Sequence, residues 1–406
     1  MGDSQMPARH PERILVRGVN WLGDAVMTTP ALQRLREARP EAHLTLLTHQ
    51  KLEAIWQSCP SLDALLTFGP DDSAWKIGRR LRRENFDIGL VLPNSPRSAL
   101  ELWLAGVPQR IGYARPWRNW LLTRRVQARP EAVEMRKRSA AEINRLIQSG
   151  PGLSVAPPPI GAHHIFQYLH LAAALGARPE PLAPRLVISE GEIAQVAAKF
   201  KLGDQSASAA PWFGLSAGAE YGPAKRWPEE SFTEAAIAVQ RRTRCRWLVF
   251  GVRADAEPAM RITTNICRAA EQEVGRETAV LGPAAMNLAE QTSLGELCAA
   301  LKHCRVLLTN DSGSMHLAAA LGVPVVVPFG STSPELTGPG LPDDPRHHLL
   351  KSNAACSPCF LRECPIDFRC MKGIGVEAVT REVLEAAGEQ IPVSKFMHFD
   401  DPKGGS

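Results

Sequence analysis

Short apolar runs alternate with longer segments of helical spacing along most of this chain. The first run, residues 14–18, ends in glycine and opens into a turn. Residues 25–38 then carry Val26, Leu32 and Leu35 at helical intervals, and Pro40 closes that helix. Further strands are expected at 43–48, 64–68, 88–92 and 110–113. The pattern restarts at 211–218 and continues through 247–251, 278–282, 306–310 and 323–330, with helices fitting between at 228–241, 256–271 and 294–303. Strands alternating with helices imply parallel sheets covered on both faces. A proline-rich bridge, 177–184 (ARPEPLAP), separates the two stretches, and a second Pro/Gly cluster at 150–161 reads as a loop within the first half. The expectation is an α/β protein of two doubly wound domains, 1–180 and 181–406, facing a cleft. Ligands of such sheets bind beyond the carboxyl ends of the strands, so the residues just after each strand carry the interest.

Composition narrows the class. The chain has 406 residues, 44% hydrophobic and 22% charged, more than one core of about 250–300 residues accommodates. This excludes a disordered, collagenous or disulfide-scaffold chain. The longest uncharged apolar run, 317–329, has 13 residues and is broken by Gly322, Pro324 and Pro328, whereas a membrane span takes about 20. The amino terminus is polar without a signal-like apolar stretch, and Met6 breaks the myristoylation pattern, so a cytoplasmic location is expected. The formal charge is +5, but residues 76–138 hold fifteen Lys/Arg against five Asp/Glu, a local +10. Such an excess suits nucleic acid, an anionic membrane surface or a phosphorylated substrate, or is simply a solvated face.

Four segments carry candidate chemistry. The first is 17–30 (RGVNWLGDAVMTTP), where Gly18 and Gly23 permit a tight turn and Asp24 sits where a helix begins. That carboxylate is either a helix-capping group or a base in the cleft. The second is 309–316 (TNDSGSMH), where Asp311, Ser312 and Gly313 open a helix and His316 follows. Free N–H groups there suit a phosphate, while Asp311 suits a sugar hydroxyl; a capping pair beside a packed histidine is the plainer reading. The third is 216–228 (SAGAEYGPAKRWP), a glycine-bearing loop ending in Lys225 and Arg226, cations able to neutralise a diphosphate or simply exposed. The fourth is Cys356-x2-Cys359-x4-Cys364-x5-Cys370, four of nine cysteines. It reads as a structural zinc or iron–sulfur knuckle, or as reduced thiols. The other five cysteines read as reduced core residues.

Together, "RGVNWLGDAVMTTPAL", "VLPNSPRSAL", "SAGAEYGPAKRWP" and "TNDSGSMHLAAALGVPVV" resemble, in this order, the ADP-heptose:lipopolysaccharide heptosyltransferases of glycosyltransferase family 9, most closely the heptosyltransferase II branch. The resemblance covers roughly residues 13–388. It implies the GT-B fold, two Rossmann-like domains facing a cleft, with the acceptor on the first and the nucleotide sugar on the second. It implies inverting, metal-independent transfer needing no cofactor. Asp24 would be the general base and Lys225 would steady the departing ADP. Gly218, Asp311, Ser312, Gly313 and His316 would serve the donor. Asp255, with Glu257 as the alternative, would hold the ribose, and Thr292 would meet adenine. Asn20, Trp21, Gly23, Asn94 and Ser95 would face the acceptor. The family's threonine-rich phosphate loop is here Gly218-Ala-Glu220, without hydroxyls. The implied partners are ADP-heptose, the lipopolysaccharide inner core and the anionic inner-membrane surface, on whose cytoplasmic face the chain would lie peripherally. Nucleic acid is not among them, because no nucleic-acid motif occurs. The rival readings are another family 9 sugar transferase and a non-catalytic binder of anionic polymers.

Overall fold

The computed structural model describes residues 10–149, 157–203, 210–273 and 283–388. The first half comprises β1 (Arg13–Arg17), α1 (Leu22–Met27), α2 (Thr29–Ala38), β2 (His43–His49), β3 (Ala64–Phe68), α3 (Ala74–Leu81), β4 (Ile88–Val91), α4 (Pro96–Leu104), β5 (Gln109–Tyr113), β6 (Arg124–Val126), α5 (Ala140–Gln148) and α6 (His164–Ala173). The second comprises α7 (Glu190–Phe200), β7 (Trp212–Ser216), α8 (Glu229–Thr243), β8 (Arg246–Val249), α9 (Ala256–Glu273), β9 (Ala285–Asn287), α10 (Leu294–Leu301), β10 (Cys304–Thr309), α11 (Gly313–Ala320), β11 (Val325–Phe329), α12 (Pro334–Thr337), β12 (His348–Lys351), α13 (Arg369–Lys372) and α14 (Val376–Ala386).

Two six-stranded sheets result, ordered β3-β2-β1-β4-β5-β6 and β12-β11-β10-β7-β8-β9. Every ladder is parallel. The order reverses beside β1 in the first sheet and beside β7 and β10 in the second, the points where doubly wound sheets open a crevice. Central strands are apolar because both faces are covered: β1 is buried from Ile14 to Arg17, and β7 and β11 throughout.

The strand expected at 278–282 lies outside the described residues. The helix expected over 25–38 is two helices. Its chain is interrupted at Thr28, and Pro30 in the first turn of α2 removes an N–H from the ladder. The helix after β10 begins at Gly313, which puts His316 in its first turn. Strands β6, β9 and β12 were not expected; each is three or four residues long, and β6 and β12 carry partly exposed polar residues.

The two sheets meet where their first-turn helices touch. A side chain at Gly23 of α1 would place its Cβ 2.6 Å from the His316 ring of α11, and one at Gly313 would sit 2.6 Å from Leu22. Glycine at both positions lets α1 and α11 approach closely. One apolar cluster runs through this contact, from Ile14 and Val26 to Leu307 and Met315. No helix among the described residues is long and apolar enough to cross a membrane.

Candidate active site

Asp24 lies in the first turn of α1, at the carboxyl end of β1. Its side chain keeps 30% exposure. Tyr168 of α6 donates to Asp24 Oδ1 at 3.0 Å, and His164 Nδ1 stands 4.0 Å from the same oxygen. Partial burial raises the Asp24 pKa. His164, the Tyr168 hydrogen bond and Lys225 pull it back down, and Asp311 pushes it up. The net direction is upward, toward the range a general base uses near neutral pH.

Across the α1–α11 contact, Lys225 Nζ lies 2.6 Å from Asp311 Oδ2, with both side chains buried or nearly so. Thr332 donates to the same oxygen at 2.5 Å. Lys225 also stands over the Tyr221 ring, 5.0 Å from its centroid. Asp311 therefore fixes the lysine rather than meeting solvent. Asn310 staples the two loops: it accepts from the Trp227 N–H at 2.9 Å and donates to Ala217 O at 2.6 Å. His316 is buried, and burial lowers its pKa to about 4, so it is neutral at physiological pH. Ser312 is the N-cap residue of α11, and its hydroxyl is 3.4 Å from that of Thr309.

A pocket of about 310 Å³ opens beside this group, lined by Gly218, Arg226, Trp227, Phe250, Asp255 and Met371 among others. Gly218 stands directly against the Asp255 carboxylate, where a Cβ would collide with it. Asp255 accepts from Val252 N at 3.2 Å, and Arg226 lies 3.6 Å from its other oxygen. One face of the cleft thus carries a carboxylate of raised pKa, and the other a buried cation beside a nucleotide-sized pocket. This is an arrangement for moving a proton from a nucleophile while an anionic leaving group departs.

The sequence matches glycosyltransferase family 9 (heptosyltransferase) over residues 74–146 and 153–368. The chain belongs to glycosyltransferase family 9. It is 30% identical to lipopolysaccharide heptosyltransferase 2 of Escherichia coli over 340 residues, 80% of this chain and 85% of the relative. The solved structure of E. coli ADP-heptose lps heptosyltransferase II superposes with a TM-score of 0.67 at 25% identity, covering 92% of this chain and 98% of that one. A family 9 glycosyl transferase from Veillonella parvula gives 0.69 at 21% identity, covering 93% and 97%. The fold is accordingly GT-B, two Rossmann-like sheets with their crevices toward one cleft.

The remaining expected residues of this family 9 enzyme divide. Asn20, Trp21 and Asn94 are exposed at the carboxyl ends of β1 and β4, the Asp24 end of the sheet. Arg17 donates to Asn20 Oδ1 at 3.1 Å and is itself held by Glu101 at 2.7 Å in a buried pair. Lys51 stands 5.7 Å from the Trp21 ring and 4.0 Å from Glu220 of the opposite half. Ser95 spends its hydroxyl as the N-cap of α4, accepting from Ser98 N at 3.3 Å. Gly23 packs the interhelical contact. Glu257 does not join the site: its side chain is 87% exposed and pairs with Arg261 one turn on. Helical phase turns it outward, while Asp255 two residues earlier turns in. Thr292 precedes Ser293, the N-cap of α10, and is partly buried outside the pocket lining.

The geometry gives no support to a metal knuckle at the tail cysteines. Among the described residues, the sole trio of His, Cys, Asp or Glu side chains with ligand atoms mutually within 4.8 Å is His348, Glu382 and Glu385. Cys356, Cys359, Cys364 and Cys370 do not form one. Their loop serves packing instead: Cys356 and Cys359 are buried with Ile143 of α5, and Arg138 donates to the Cys359 and Cys356 carbonyls at 3.0 Å each. Burial, and the nearness of the cysteines to one another, raise the Cys356, Cys359 and Cys370 thiol pKa values. Sequence reasoning missed Tyr168 and His164. They lie on a helix that follows the Pro/Gly cluster at 150–161 rather than a strand, so inspection of the residues after each strand passed them by.

Proposed function

We propose that this family 9 glycosyltransferase moves heptose from ADP-L-glycero-D-manno-heptose to the heptosyl-Kdo inner core of lipopolysaccharide, with inversion and without a metal or cofactor. The observation that carries the chemistry is the opposition of Asp24 to the Lys225–Asp311 pair across one cleft. In this reading residues 1–180 take the acceptor, through the region of Asn20, Trp21, Asn94 and Ser95. Residues 181–406 take the donor, with adenosine near Asp255 and Thr292 and the phosphates near Gly218, Lys225 and the start of α11 at Ser312 and Gly313.

The reaction is a single displacement. Asp24 accepts the proton of the acceptor hydroxyl as its oxygen bonds to the anomeric carbon. The bond from that carbon to the β-phosphate oxygen breaks on the opposite face, and its electron pair leaves with ADP. Lys225 neutralises the charge that builds there, and Asp311 holds the lysine in place before the donor arrives. The relatives named for lipopolysaccharide heptosyl transfer supply the donor and acceptor of the proposal. The exposed arginines of residues 79–83 and the tryptophans near them support a peripheral position on an anionic membrane.

The test is turnover of purified protein with ADP-heptose against other nucleotide sugars, on heptosyl-Kdo acceptor, in EDTA. Transfer of heptose alone, with an inverted anomeric signal in the product, is the expected result. Preference for another sugar, or loss of transfer in EDTA without unfolding, overturns it.

A further inference from the structure

Asp24 is not alone in its half of the cleft. Helix α6 packs on α1 and presents His164 and Tyr168, one turn apart, to the same carboxylate oxygen. Tyr168 is buried and its hydroxyl donates to Asp24 Oδ1 at 3.0 Å. His164 Nδ1 is buried and has no hydrogen-bond partner. It stands 4.0 Å from that oxygen, a separation across which charge acts and which a small ring movement closes, while 16% of its side chain stays exposed. The neighbouring His163 is occupied differently: its Nε2 pairs with Gly338 O at 3.1 Å, and its Nδ1 accepts from Ile165 N at 3.3 Å. An unpartnered ring nitrogen facing a cleft carboxylate is an unusual feature in a buried histidine.

We infer that Tyr168 and His164 are positioning residues for Asp24: Tyr168 pins Oδ1 so that Oδ2 faces the acceptor hydroxyl, and His164 Nδ1 takes the proton onward after transfer. This rests on the assignment of Asp24 as the base. The proton balance is complete without a co-reactant. The acceptor O–H proton passes to Asp24 as the glycosidic bond forms. Once the carboxyl is protonated it turns about its Cβ–Cγ bond, the protonated oxygen takes the place of Oδ1 beside His164 Nδ1, and the proton passes to neutral His164, regenerating the carboxylate; the imidazolium releases it to water at its exposed edge. Burial and Arg129 lower the His164 pKa and Asp24 raises it, with the net shift downward, which suits a group that must give the proton up again. The charged and titratable groups facing Asp24 are His164 and Tyr168 from α6, Lys225 from the loop after β7 and Asp311 from the loop after β10.

The acid limb of the kcat/KM pH profile reads this arrangement. Tyr168→Phe keeps the ring and removes the donor, so the carboxylate loses a stabilising hydrogen bond and the limb should move up by about half to one pH unit. His164→Ala should lower kcat about tenfold or more with the donor KM unchanged, and added imidazole should restore part of the loss. ADP affinity by calorimetry verifies folding of each variant. An unmoved limb in Tyr168→Phe, or no imidazole rescue in His164→Ala, overturns the inference. Asp24→Asn separates the two layers: retained turnover sinks the base itself, whereas an inactive Asp24→Asn with an unmoved Tyr168→Phe limb sinks the positioning inference alone.

Discussion

A carboxylate with a raised pKa is a liability to the fold that holds it. Between the ordinary carboxylate pKa and the raised value at Asp24, the native chain keeps a proton that the unfolded chain has lost. Stability therefore falls as pH rises through that window and stays reduced above it. Asp24→Asn removes the ionisation while preserving shape and the Tyr168 contact. It should melt at a higher temperature than the parent at pH 7 and lose turnover by roughly 10²–10⁴-fold. Thermal melts at pH 4 and pH 7 test the sign: the gain should be larger at pH 7. Lys225→Ala acts on the other face. It leaves Asp311 buried without its cation, so it should weaken ADP binding by about 1.5–3 kcal/mol and lower turnover as well. Unchanged ADP affinity by calorimetry, with unchanged turnover, removes Lys225 from the site. Asp24, Lys225 and Asp311 were legible because each follows a strand at a glycine-bearing turn. Asp255, the first choice for the ribose, lines the pocket and its alternative Glu257 does not, because side chains two positions apart at the start of a helix point to different faces. Tyr168 and His164 lie some 140 residues from Asp24 in sequence, and nothing local links a helix face to a carboxylate so far away.

Elements were legible where burial makes them apolar. The five strands expected in the first half all form, and Ala64–Phe68 keeps its expected limits. Of the four edge strands, β6, β9 and β12 escaped notice because each is short and an edge position tolerates polar residues; β3, also at an edge, is longer and apolar enough to read. The pairing of α1 with α11 was also hidden, since Gly23 and Gly313 read as turn glycines near a ligand. Their role is a close helix approach, and the consequence is measurable. Gly23→Ala drives a methyl against the His316 ring, which is buried on α11 with little room to turn. It should cost about 1–3 kcal/mol by overpacking. Gly313→Ala meets Leu22 at Cδ2 (2.6 Å) and also at Cγ and Cβ (3.0 and 3.1 Å), and rotation of the side chain relieves only the first of these, so its cost should be comparable. Urea unfolding of both variants measures the two costs. Equal stability of Gly23→Ala and the parent would show that α1 and α11 do not pack this closely in solution.

At the scale of the whole molecule, the first half is asymmetric in what it shows to solvent. Four of its tryptophans are exposed on adjoining elements: Trp75 of α3 at 72%, Trp103 of α4, Trp117 at 86%, and Trp120, which meets Trp103 edge-on at 6.0 Å between ring centroids. Arg79, Arg80, Arg82 and Arg83 are exposed on and just after α3. Arg80 and Arg82 donate to the carbonyls of Thr67 and Leu104, and none of the four has an acidic partner within 4.0 Å among the described residues. In the proposed peripheral position these cations and indoles would face an anionic bilayer surface, where basic residues contribute about 1 kcal/mol each and indoles settle at the headgroup level. The electrostatic part fades beyond a Debye length of roughly 8 Å and weakens with salt; the indole part does not. The protein should therefore co-sediment with phosphatidylglycerol vesicles more than with phosphatidylcholine vesicles, and added salt should reduce that binding without abolishing it. Changing the four arginines to serine should remove the salt-sensitive part, and Trp75→Ser with Trp117→Ser the salt-resistant part. Equal binding to neutral and anionic vesicles, or binding undiminished in the arginine variant, rules out an electrostatic docking face here.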